Sequence, residues 1–286
     1  VTHAHHASAV HVRGLSKSYG TLHAVRDLDL DVEHGEIFAI LGPNGAGKST
    51  IIEILEGHRK RDAGEVTVLG EDPGAAGRGW RAKIGIVLQE ASDFGTLNVS
   101  ETVHMFAQCY GKTRAPEEVL ELVGLGSVRD SRVRALSGGQ RRRLDVALGV
   151  INMPELVFMD EPTTGFDPEA RRRFWDLIRL LAADGTTVLL TTHYLEEAAT
   201  LADRVAVIAA GSLVALDSPA KLTGYVSSAA TVRWREGDEV HVERTDYPTE
   251  LIRRRSANGK ELGQLTVSRP TLEDAYLRLI GQADEC

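Results

Sequence analysis

The apolar residues of this chain fall into short blocks whose spacing changes along its length. Runs at 10–13, 28–32 and 37–41 predict β-strands, and the third leads through a glycine-rich turn into 48–56, where apolar positions recur at helical spacing. Further strands are predicted at 66–69, 84–88, 156–159, 188–191 and 205–208. Several of these are unbroken apolar runs, as in strands covered on both faces, so they predict a central, largely parallel sheet. The chain thus opens β-rich and then becomes α/β. From 89 to 136 the pattern is helical, with Ser100 and Pro116 at helix starts, which predicts a helical subdomain inserted over about 90–136. Beyond 224 the pattern weakens into strands near 231–235, 239–243 and 265–267 and a last helix over 270–280, a separate small α/β tail. The expected domains are therefore 10–224 and 225–286, after a disordered N-terminus over 1–9.

Composition narrows the function. With 286 residues and 42% hydrophobic positions, the chain can fill one large core and a small appendage. Its 33 basic against 41 acidic residues give a charge of -8, so no global positive field attracts phosphates and nucleic acid is not an expected partner. Cys109 and Cys286 make neither a disulfide framework nor a metal cluster and fit a reducing compartment. His3, His5, His6 and His11 stand at a terminus too mobile to fix metal geometry. No window approaches the roughly eighteen apolar residues that span a bilayer. The best run, 205–216, is broken at Gly211-Ser212 and reads as strand, turn, strand, and the first ten residues lack the pattern of a secretory signal. The arginine triplets at 141–143, 171–173 and 253–255 read as solvated helix surface.

Three motifs carry chemistry. Gly42, Pro43, Asn44, Gly45, Ala46, Gly47, Lys48, Ser49 and Thr50 follow an apolar strand and open a helix, the context a phosphate-binding loop requires. Its glycines let backbone N–H groups converge on phosphate oxygens, the helix N-terminus adds its positive end, Lys48 reaches the β- and γ-oxygens, and Ser49 offers a hydroxyl to Mg²⁺. The strand at 156–159 ends in Asp160 and Glu161, two carboxylates emerging from a buried run. Asp160 is placed to hold the Mg²⁺ complex and Glu161 to polarise the attacking water. Leu136, Ser137, Gly138, Gly139 and Gln140 precede a helical stretch, where Ser137 can cap a helix whose N-terminus faces an anion.

In this order the three motifs closely resemble the ATP-binding cassette (ABC) ATPases over about residues 10–220. The resemblance implies the P-loop NTPase fold of that family: a mixed central sheet, an N-terminal antiparallel β subdomain, the inserted helical subdomain and the C-terminal tail. It implies ATP and Mg²⁺ as ligands and two copies paired head to tail, each covering the other's γ-phosphate with Ser137 and Gly139. Three positions match weaker family motifs. Tyr19 corresponds to a ring stacked on adenine, Gln89 to a glutamine that reaches Mg²⁺ or its water and leads into the helical subdomain, and His193 to a switch histidine at the γ-phosphate. Asp167 closes the segment Thr164-Gly165-Phe166-Asp167, which carries Phe where the family usually has Leu, and Glu90 stands where a second Gln is frequent. Neither departure removes a catalytic group.

The single compact set of motifs is unlike the paired cassettes of translation factors and the long insertions of DNA-repair relatives. The segment Pro270-Thr271-Leu272-Glu273-Asp274-Ala275-Tyr276-Leu277 resembles the ending of exporter ATPases of the daunorubicin-resistance type, which pair with separate multi-span permeases. The implied protein is a peripheral subunit on the cytoplasmic face of the plasma membrane, exporting a drug or other hydrophobic molecule. The alternatives are a lipid or polysaccharide exporter, or a soluble ATPase acting on a ribosome.

Overall fold

The computed structural model describes residues 8–87, 96–224, 229–257 and 261–284. The expectations placed on His3, His5, His6, Gln89, Glu90 and Cys286 lie outside the described residues.

Strands β1 (Val10–Tyr19) and β2 (Leu22–Val32) form an antiparallel hairpin that runs from Val10 opposite Val32 to Tyr19 opposite Leu22, with register shifts between Val12 and Ser18. It is longer than its apolar runs, because its distal half carries polar residues on both faces and shows no period of two. Next come β3 (Ile37–Leu41), helix α1 (Lys48–Leu55) and β4 (Ala63–Val68), and β4 pairs antiparallel with the other edge of β1. Val10, Val12 and Leu15 of this outer sheet pack with Ile51, Ile54 and Leu55 of α1 and with Phe38 and Ile40 of β3 in one core. The short helix α2 (Arg78–Arg81) adds Trp80, whose indole N–H donates to the Val68 carbonyl at 2.8 Å.

The chain continues through β5 (Ile84–Val87), α3 (Val99–Ala107), α4 (Pro116–Leu122) and α5 (Gly138–Val150). It then runs through β6 (Leu156–Asp160), α6 (Pro168–Ala183), β7 (Thr187–Thr192), α7 (Leu195–Leu201), β8 (Arg204–Ala209) and β9 (Ser212–Asp217). The central sheet has the order β5-β6-β7-β3-β8-β9, and its first five strands are parallel. The turn Ala210-Gly211, with φ of 47° and 83°, is a two-residue hairpin turn that returns β9 antiparallel, so the sheet is mixed. Because β3 sits between β7 and β8, with β6 beyond β7, the carboxyl ends of β3, β6 and β7 emerge side by side. That edge, where the strand order breaks from sequence order, is where open α/β sheets bind ligands.

Asn98 caps α3 in a capping box with Glu101, so the helix begins at Val99, one residue before the expected Ser100, and Pro116 opens α4. Helix α5 lies against β5 with almost no side chain between them: a Cβ on Gly85 would overlap the Gly149 carbonyl oxygen. One helix surface reading is corrected here. Arg142 is 8% exposed, because its position on α5 faces the sheet rather than solvent.

The chain divides into two compact units between Leu216 and Asp217. The second holds α8 (Pro219–Gly224), β10 (Ala230–Glu236), β11 (Glu239–Thr245), α9 (Pro248–Arg255), β12 (Gly263–Ser268) and α10 (Leu272–Asp284). Its antiparallel sheet, ordered β11-β10-β12, packs Val232 and Trp234 against Leu251 and Leu262. Among the described residues, no helix is long and apolar enough to cross a membrane, and no group of three His, Cys, Asp or Glu could hold a metal ion.

Candidate nucleotide site

The turn from Gly42 to Gly47 joins β3 to α1. Gly47 has a φ of 102°, and a Cβ there would overlap the Ala24 carbonyl oxygen of the outer sheet, so only glycine fits. The turn is also held by its backbone, the Ala46 N–H donating to Pro43 O at 3.2 Å and the Gly211 N–H to Ala46 O at 3.1 Å. Lys48, the first residue of the helix, is 5% exposed and folds back, its ammonium donating to Gly42 O at 2.9 Å and Pro43 O at 3.1 Å. Burial pushes its pKa below the ordinary lysine value, against the pull of Glu161 and Asp160.

Those carboxylates arrive from β6. Parallel pairing sets Asp160 beside Thr191. Asp160 accepts from the Thr191 hydroxyl through Oδ1 and from the Ser49 hydroxyl through Oδ2 at 3.2 Å. Glu161 is in the left-handed region, φ 45°, with its N–H donating to Thr191 O at 3.2 Å and to Thr191 Oγ1 at 3.0 Å. Its carboxylate lies between the Lys48 ammonium and the His193 imidazole, with Oε1 3.7 Å from Lys48 Nζ and Oε2 3.2 Å from His193 Nδ1. His193 stands in the turn between β7 and α7.

A cleft of about 440 Å³ opens over these residues, lined by Asn44, Gly45, Lys48, Ser49, Thr50 and Glu161, with Tyr19 at its rim. Tyr19 is 40% exposed, and its ring lies 5.2 Å from the Arg59 guanidinium and 5.5 Å from the Lys17 ammonium. An aromatic face beside a phosphate-sized cradle fits a nucleobase.

Ser137, Gly138, Gly139 and Gln140 line a different cleft, of about 340 Å³. Ser137 caps α5, accepting from the Gln140 N–H at 3.3 Å, while Gln140 Oε1 accepts from the Ser137 N–H at 2.9 Å. Asp167 lies across this second cleft and caps α6. The Ala170 N–H first, and then the Glu169 N–H, hold its carboxyl below the usual range. The structure thus brings together Tyr19, the phosphate loop, Asp160, Glu161 and His193, and sets Ser137, Gly138, Gly139, Gln140 and Asp167 apart from them. Gln89 lies outside the described residues.

Two side chains that the motifs do not reveal support the site. Thr191 holds both Asp160 and Glu161, yet in sequence it is one of three threonines in β7 with nothing to single it out. Arg142 donates through Nε to Pro162 O at 3.0 Å and through Nη2 to Asp160 O at 2.8 Å, tying the helix of the Ser137 turn to the strand end that carries the carboxylates.

Residues 25–164 match the family model described as "ABC transporter". The chain is 38% identical to Nod factor export ATP-binding protein I of Rhizobium sp. (strain N33), covering 97% of this chain and 98% of that one. It is 44% identical to daunorubicin/doxorubicin resistance ATP-binding protein DrrA of Streptomyces peucetius, over 77% of this chain and 68% of that one. Among solved structures it is similar to the ATP-binding cassette MJ0796, a dimeric post-hydrolysis state bound to ADP and Pi, with a TM-score of 0.66, 25% identity, and coverage of 73% of this chain and 98% of that one.

Proposed function

This chain belongs to the ABC transporter family, and we propose that it is the ATP-binding and ATP-hydrolysing subunit of an exporter. In this reading two copies act on a separate membrane permease at the cytoplasmic face of the plasma membrane. The observation that carries the reading is the separation of the two anion cradles. One chain holds a phosphate loop with Glu161 in one open cleft, and a capped helix N-terminus with Gly138 and Gly139 in another. Head-to-tail pairing of two copies would join the first cleft of each to the second cleft of its twin, enclosing two nucleotides. That a similar cassette is dimeric when bound to ADP and phosphate supports pairing of two copies.

Within a closed site, Lys48 and the N–H groups around Gly45 and Gly47 bind the β- and γ-phosphates, and Tyr19 stacks on the adenine. The Ser49 hydroxyl and the Asp160 carboxylate, 3.2 Å apart, are hard oxygen donors of the kind Mg²⁺ takes. Bound there, the ion would neutralise charge on the phosphate oxygens. Glu161 accepts a proton from the attacking water as the new P–O bond forms and the bond to the β-phosphate oxygen breaks. His193 holds the second oxygen of Glu161 and stands next to the γ-phosphate. Loss of that phosphate removes the acceptor for Ser137 and Gly139 of the twin, and the pair opens.

A third cleft, of about 520 Å³, lies between the strand that leads toward residue 89 and the helical subdomain, lined by Gly85, Ile86, Phe106, Tyr110 and Asp145 among others. It is our candidate seat for a permease helix. One relative is named for Nod factor export and the other for daunorubicin/doxorubicin resistance, and these names support an exporter, with a drug or other hydrophobic molecule as our proposed cargo.

The reading is tested by Glu161→Gln in the purified chain. Turnover is expected to fall about 10²–10⁴-fold while ATP binding persists, and an ATP-stable dimer should accumulate on size exclusion. Undiminished turnover rejects the assignment of the base.

A further inference from the structure

We infer that Glu197 is a positioning residue for hydrolysis, one whose carboxylate clamps the loop that carries Glu161 to the helix that follows His193. The inference rests on the roles given above to Glu161 and His193.

Glu197 lies on α7 and is 0% exposed. Its Oε1 accepts from the Thr163 hydroxyl at 2.8 Å and from the Trp175 indole N–H at 3.1 Å. Its Oε2 is buried with no hydrogen-bond partner. An ionisable side chain packed this way is costly compared with an apolar one, so general packing does not explain it. Its partners do. Thr163, also 0% exposed, stands two residues beyond Glu161, and Trp175 belongs to α6, the helix that begins at Asp167. One oxygen therefore joins three segments: the loop after β6, the helix that starts in the Ser137 cleft, and the helix that starts next to His193.

The contact between His193 and Glu161, at 3.2 Å, spans two of those same segments. It is the outer of two parallel bridges. His193 keeps a 34% exposed side chain, and a pair this open to water contributes little rigidity alone. The bridge from Thr163 to Glu197 is the inner one, dry and out of reach of substrate, and it sets the spacing at which the outer pair meets. Neither Lys48 nor Ser49 depends on it. Without Glu197 the chain should therefore bind ATP normally and hydrolyse it slowly.

The test uses the purified full chain with ATP, with rates expressed per nucleotide-binding site so that unfolded protein does not count. For Glu197→Ala, kcat should fall about tenfold or more, with KM for ATP and the affinity for a fluorescent ATP analogue changed less than about twofold. Thr163→Val, which removes one hydroxyl at nearly constant shape, should show the same split with a kcat loss of about threefold. Glu197→Gln keeps an acceptor oxygen and should recover at least about half of the wild-type rate. A wild-type kcat in Glu197→Ala overturns the inference, as does an affinity loss equal to the rate loss, or a glutamine variant no better than alanine. Should Glu197→Ala not fold, Thr163→Val decides: a normal kcat there is equally fatal. Glu161→Gln run in parallel separates the two levels. Normal turnover in that variant defeats the site reading itself, whereas slow turnover there beside normal Glu197 variants defeats this inference alone.

Discussion

Arg142 offers the sharpest physical test of how the site is held. The guanidinium spans two backbone carbonyls that bracket Glu161, those of Asp160 at 2.8 Å and Pro162 at 3.0 Å. Each is a hydrogen bond from a charged donor in a buried setting, worth about 1.5–3 kcal/mol. Burial of the cation works the other way and pushes the arginine pKa down, so part of that gain is returned as desolvation. The net loss expected for Arg142→Met, which fills similar volume without donors, is about 2–4 kcal/mol. Arg142→Lys keeps the charge, but its single nitrogen does not reproduce the fork, and its stability should fall between the other two. Urea unfolding followed by circular dichroism reads the midpoints, and ATPase assays read the site. Because the two carbonyls flank Glu161, kcat should drop well before ATP affinity does. A methionine variant within about 0.5 kcal/mol of wild type, or a lysine variant equal to it, would refute the two-carbonyl account.

Three further outcomes are expected. Lys48→Ala should weaken ATP binding itself, at least about tenfold in a direct titration, because the ammonium sits among the phosphate-loop carbonyls; undiminished affinity would count against the cradle. Glu56, buried at the end of α1, has its pKa raised to about 8 by burial first and then by Asp160 and Glu53. The folded chain therefore holds this proton where the unfolded chain releases it, so the group's contribution to stability is complete at low pH and is lost as pH rises toward 8, at up to about 1.4 kcal/mol per pH unit. Melting curves of Glu56→Gln should lack that decline across pH 5–8. Gly85→Ala should destabilise by about 1–3 kcal/mol, since the new methyl must push α5 off β5; a neutral effect in thermal melts would show that the two are not packed backbone to backbone.

The phosphate loop, the Asp160-Glu161 pair and the Ser137 turn were legible because each combines an apolar strand or helix with residues that have few other uses. The central strands were legible too, since burial on both faces leaves an unbroken apolar run, as in β3 and over 156–159 of β6. The outer hairpin was underestimated because solvent on one face and a distal polar half erase its alternation. Arg142 was misread for a related reason. On α5 it belongs to a helix with glycine and charge on several sides, and no apolar stripe marks which face meets the sheet. Thr191, Thr163 and Glu197 act through hydrogen bonds between segments distant in sequence, and that pairing is set by strand order.

Glu161 sits at a backbone angle that favours glycine and disfavours a glutamate, compensated locally by two bonds from its N–H to Thr191. Selection for heat tolerance alone would accordingly reward Glu161→Gly, relaxing the chain while silencing it. A library screened on yield or melting point and never on turnover would drift toward well-behaved, inert proteins at this codon.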